Sequence, residues 1–190
     1  MTVARTWLAL AGATLLAVHP ALATAQDCLA EDEISAMAVY AMPGVVQGVK
    51  QRCAARLEAG GFIARGGDAL SARYARLQTG VWPRAKSGLL KIVASKAAGA
   101  RGGALGEVGP AGNLDRLQMI ASLPDSAVRP LVDALIVQEV TPEIDVKHCG
   151  KIELLMQALN KVEPEVAGTL LGLIAGLVKL DQPAICGARA

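Results

Sequence analysis

Aromatic side chains make up only 3% of the 190 residues, and histidine occurs twice. Runs of aromatic and β-branched residues are scarce, whereas alanine and leucine are plentiful. This composition excludes a strand-built core and makes helix the default. It also removes the stacking surface on which single-stranded nucleic acid is held, so no nucleic-acid partner is expected. Beyond the first 25 residues the histidine is His148 alone, through which any Ser-His-Asp or Cys-His machinery would have to pass. GxSxG, HExxH, P-loop and dinucleotide-binding patterns are absent. CxxC is absent too, which excludes a thioredoxin-like redox pair, and the cysteine spacing matches no common zinc pattern. No metal and no cofactor are expected. Glu139 and Glu143 remain as a carboxylate pair able to serve as acid and base. They do not define a reaction, and no catalytic residue is assigned.

Long apolar runs are also few, and the first lies at the N-terminus. Arg5 precedes TWLALAGATLLAVHPALATA, which closes on Ala23-Thr24-Ala25, the small-residue pattern of a signal-peptidase site. Residues 1–25 read as a cleavable signal peptide and 26–190 as one all-helical domain. Cys28, Cys53, Cys149 and Cys186 all fall in the exported part, where an even count favours disulfides. A periplasmic or secreted protein is expected.

Helical patterning recurs around prolines. Cys28 opens a segment with acids in its first turn and Ile34, Met37, Ala38 and Ala41 at helical spacing. Pro43 is expected to end that helix and a second one to carry Cys53. Cys149 opens a stripe of Ile152, Leu155, Met156, Leu159 and Val162, and Pro164 stands at the first position of the next helix. The pattern predicts two antiparallel hairpins, clamped by bridges Cys28–Cys53 and Cys149–Cys186. Between them, Asp68 caps a helix with Leu70, Tyr74, Leu77 and Val81 on one face. Trp82-Pro83 should break that helix, with another over Lys86–Ala98. Residues 99–113 are glycine-rich and read as a loop. Leu114–Leu123 and Val128–Val140 form a third pair about Pro124. The predicted fold is an all-α, single-domain bundle of about six or seven helices in stacked hairpins.

The second apolar run, Val166–Val178, covers thirteen residues. Its length of about 20 Å falls short of the ~30 Å hydrocarbon core, so it is not expected to span a membrane. Gly168, Gly172 and Gly176 lie four apart and put bare backbone along one ridge, where a neighbouring helix can approach. The seam is expected either to pack on Leu155, Met156 and Leu159 of its own hairpin or to line an apolar groove with Leu170, Leu173, Ile174 and Leu177. Residues 50–101 hold eleven Lys or Arg against Glu58 and Asp68. Such a block either pairs with acids of its own fold or meets an anionic group, with Arg73, Arg76, Arg84 and Lys86 as the candidate contacts. The expected function is that of a non-enzymatic envelope binding or structural domain for an apolar or anionic amphiphilic ligand, such as a lipid. An adaptor or inhibitor acting on an envelope protein is the alternative, ahead of a hydrolase of unfamiliar design. Oligomeric state is left open.

Overall fold

A computed structural model of the chain describes residues 28–99, 122–177 and 183–186. The signal-peptide cut, the glycine-rich stretch after Gly99 and the expected helix over residues 114–121 lie outside them. Among the described residues there are six α-helices and no strand beyond one isolated bridge, Leu29 with Ile185. The helices are α1 Glu31–Cys53, α2 Phe62–Ala75, α3 Gln78–Gly99, α4 Asp125–Glu143, α5 Cys149–Leu159 and α6 Pro164–Leu177. The all-α bundle implied by composition is the fold.

Its arrangement is one central helix with neighbours around it, not a stack of hairpins. Helix α1 packs on α2, α3, α4 and α6, and its buried residues, among them Ala36, Val39, Tyr40, Met42, Val46 and Val49, point to all sides. Such an all-round helix forgoes amphipathicity and instead needs small residues where neighbours cross. A Cβ on Gly44 would stand 2.7 Å from Ile136 Cγ2 of α4, and one on Gly168 2.7 Å from Val39 Cγ2. Two apolar clusters result. Val46, Val49, Ile63, Leu70, Tyr74 and Met156 join α1 to α2 and α5. Ala36, Tyr40, Trp82, Ala85 and Val128 join it to α3 and α4, with Tyr40 and Trp82 rings 4.9 Å apart.

Pro43 lies inside α1 and does not divide it. It cannot donate to the Val39 carbonyl, a defect that in isolation costs about 3 kcal/mol. Packing on several sides holds the helix through that position, and Gln78 Nε2 donates to the neighbouring Tyr40 carbonyl at 2.9 Å. Similarly, Pro83 sits inside α3; the break falls earlier, between Ala75 and Gln78.

A continuous α1 also overturns the expected cysteine pairing. At 1.5 Å per residue, Cys28 and Cys53 stand at opposite ends of a rod about 35 Å long, far beyond the reach of a disulfide. The bridges are Cys28–Cys186 and Cys53–Cys149. Cys53 and Cys149 are 0% and 1% exposed inside the core, where they tie the C-terminal end of α1 to the start of α5. Cys186 reaches Cys28 because α6 runs back along α1. Leu29 N–H then donates to the Ala184 carbonyl and Cys186 N–H to the Leu29 carbonyl, both at 2.8 Å.

A buried carboxylate secures the same end of α1. Glu33, 7% exposed, accepts from Lys91 Nζ at 2.7 Å, Ser87 Oγ at 2.6 Å and its own helix's Ala30 N–H at 2.9 Å. Burial pushes the carboxyl pKa up, but these hydrogen bonds and the Lys91 charge outweigh it and hold the group below the usual carboxylate value. Lys91 Nζ also donates to the Cys28 carbonyl at 3.0 Å, so α3 is pinned to the chain entering α1.

Gly168 and Gly172 of the α6 seam pack on α1, and not on the α5 residues expected from the hairpin reading. A Cβ on Gly172 would lie 2.8 Å from the Glu31 carbonyl oxygen, a backbone atom with little room to yield. Gly172→Ala should therefore lose up to about 2 kcal/mol net, because about 1–3 kcal/mol of overpacking against a backbone atom outweighs the gain of about 1 kcal/mol in helix propensity. Gly80→Ala, with nothing within 4 Å of the new methyl group, should instead gain about 0.5–1 kcal/mol. Urea midpoints of the two variants shifting in opposite directions would verify the close approach.

Candidate binding surface

Packing the glycines inward turns the large side chains of α6 outward. Pro164, Ala167, Gly168 and Gly172 are buried. Val166, Leu170, Leu173 and Ile174 are 51%, 51%, 49% and 54% exposed. Their spacing of four, three and one residues places them on one face, roughly opposite the seam. A surface helix normally buries its large apolar residues and shows its polar ones. Here the order is reversed. Half-burial of four such side chains leaves about 3–6 kcal/mol of transfer free energy unrealised at 1.5–3 kcal/mol per residue. Gly176 and Leu177 continue the helix, but their side-chain surroundings lie outside the described residues.

Beside this ridge an open cleft of about 400 Å³ runs between α1, α3 and α6. Leu173, Val81, Ala36 and Val39 form its apolar lining, and Glu31, Asp32, Glu165 and Arg84 its charged rim. Arg84 Nε lies 3.4 Å from Asp32 Oδ2, with both side chains 65% exposed. Three carboxylates thus face one guanidinium that is already engaged.

The expected groove is therefore a convex ridge with a cleft at its edge. Of the four expected anion contacts, the structure brings only Arg84 to the cleft. Arg73 reaches the α5–α6 connection, bonding the Asn160 carbonyl at 2.7 Å and pairing with Glu163 at 3.0 Å. Lys86 pairs with Asp125 at 3.0 Å beside α4, and Arg76 is exposed at the end of α2. Much of the basic block is spent within the fold, since Arg73, Arg84, Lys86 and Lys91 each meet a carboxylate from a flanking segment. Sequence reasoning missed Glu31, Asp32 and Glu165 as rim residues. It treated acids near a helix start as complements to the helix dipole, and nothing local shows that two helix starts share one cleft.

A second, larger cleft of about 540 Å³ lies between α1, α2 and α4. Its lining includes Gln47, Gln51, Gln78, Ser71 and the Lys50–Asp68 pair, which closes to 2.6 Å. Tyr40, 1% exposed, backs it; burial, then Asp133, pushes its phenol up to about 12, while Arg129 acts in the opposite sense. Among the described residues Ser71 has no histidine beside it, because His148 is exposed on the turn before α5. Glu139 and Glu143 are likewise exposed. Among the described residues no three His, Cys, Asp or Glu side chains converge as metal ligands, and no helix is long and apolar enough to cross a membrane.

Compared with protein-family models, with curated proteins and with solved structures, the chain matches none. The geometry alone carries the functional reading.

Proposed function

We propose that this chain is a non-enzymatic binding domain of the cell envelope and that the outward apolar face of α6 is its contact surface. The observation that carries this reading is the reversal of α6, with glycines against α1 and Val166, Leu170, Leu173 and Ile174 facing out. Contiguous outward apolar faces commonly mark contact surfaces and, left uncovered, invite aggregation. The two disulfides among the described residues agree with work outside the cytosol. The open cleft favours contact along a surface over enclosure of a small molecule. Its carboxylates make an anionic head group the weaker fit.

The test separates contact from folding. Leu170→Ser with Ile174→Ser should cost no more than about 1.5–3 kcal/mol, the share of each side chain that is already half-buried, because neither fills the core. A photo-crosslinking amino acid placed at Leu170 in cells should give one discrete adduct. The same group at Ala69, exposed on α2, should give none. Adducts of equal yield at both positions, or a severe loss of stability in the serine variant, would overturn the reading.

A further inference from the structure

We infer that the partner covering α6 is a protein segment folded as a cationic amphipathic helix, whose apolar stripe lies on the α6 ridge and whose lysines or arginines meet the cleft rim. The inference rests on the α6 reading above and adds the chemistry of the occupant. Its argument is charge complementarity. The ridge residue Leu173 also lines the cleft, so apolar contact and charged rim form one surface. Along that rim stand Glu31 and Asp32 from α1 and Glu165 from α6, all exposed. Arg84 faces them but is held by Asp32. An anionic bilayer or an acidic helix would bring like charge against this edge, whereas a basic helix brings opposite charge. Helix-on-helix docking also suits the shape. The ridge residues repeat at helical spacing along α6, and an amphipathic helix offers anchors at the same interval.

The probes are a synthetic Leu/Lys amphipathic helical peptide, a Leu/Glu peptide of the same pattern, and phosphatidylcholine vesicles with and without phosphatidylglycerol. Each is titrated into the oxidised full domain by fluorescence anisotropy or co-sedimentation. The Leu/Lys peptide should bind saturably and more weakly as salt rises. Leu170→Ser with Ile174→Ser should abolish binding. Glu31→Gln, Asp32→Asn and Glu165→Gln together should weaken it about tenfold and flatten its salt dependence. Arg84→Gln, which releases Asp32, should strengthen it. Circular dichroism confirms that each variant is folded.

Equal or tighter binding of the Leu/Glu peptide, or a rim variant that binds unchanged, would overturn the cationic-helix inference and leave the α6 surface standing. Vesicle binding lost on the ridge substitutions would replace the occupant with a lipid surface. Dimerisation in analytical ultracentrifugation, abolished by those substitutions, would replace it with a second copy. Saturable binding of the Leu/Lys peptide that ignores the ridge substitutions would remove both this inference and the α6 reading.

Discussion

Replacing Cys53 and Cys149 together by alanine lowers the unfolding free energy of the domain by about 4–5 kcal/mol. The expectation follows from the 96-residue separation that this bridge closes. In the chain-entropy model a loop of that length is worth about 4.7 kcal/mol, against about 3.5 kcal/mol for a bridge across a hairpin of some 25 residues. Loss of buried sulfur from the core adds a cavity term of the same sign. The Cys28–Cys186 bridge encloses the first, with a separation of 158 residues. With the inner bridge in place it closes a remaining circuit of about 60 residues, still worth about 4 kcal/mol. Domains are commonly stable by only about 5–15 kcal/mol, so reducing both bridges should remove most of that stability and shift unfolding to much lower urea. Urea unfolding of the double-alanine variant and of the reduced protein measures both effects. A non-reducing peptide digest must first recover Cys53 linked to Cys149; recovery of Cys53 linked to Cys28 would refute the nested arrangement and the central position of α1 with it.

Glu33→Gln is the second large effect, at about 3 kcal/mol. Removing one partner of a buried ion pair typically costs 3–5 kcal/mol, because the remaining charge is left without compensation. The lower end applies because the Lys91 side chain keeps 22% of its exposure. Lys91 would still hold the Cys28 carbonyl, but no longer a carboxylate. Glu33→Gln with Lys91→Met should recover part of the loss, since both charges then leave the site.

The pH dependence has a definite sign. The native pKa of Glu33 is lowered from the reference value of 4.5. In acid the unfolded chain therefore takes up this proton before the folded one does. The stabilisation is fully present above about pH 4.5 and is lost as pH falls through the lowered native value. The stability gap between wild type and Glu33→Gln should narrow on acidification below pH 4.5. A gap that widened there would show that the carboxyl is buried as the neutral acid.

The central position of α1 also accounts for the unusual composition. Helices approach α1 through Gly44, Gly168 and Gly172, and the closeness of that approach leaves little room for aromatic side chains. Tyr40, Tyr74 and Trp82, each 2% exposed or less, fill what space remains. The same packing explains why α6 presents leucines to solvent. A helix has one face to spend on its neighbour, and here the glycine face was spent.

Helix content, the even cysteine count and the close-approach seam of α6 were legible along the chain, because propensity, spacing and side-chain size act over a few residues. Neither the bridge partners nor the orientation of α6 could be read that way. Whether Pro43 ends a helix depends on how many neighbours hold it, and that one outcome sets whether Cys28 stands beside Cys53 or a full helix length away. The leucines of α6 likewise satisfy a buried pattern and an outward one equally well. Only the choice of α1 over α5 as its packing partner decides between them, and that choice is made by long-range fit.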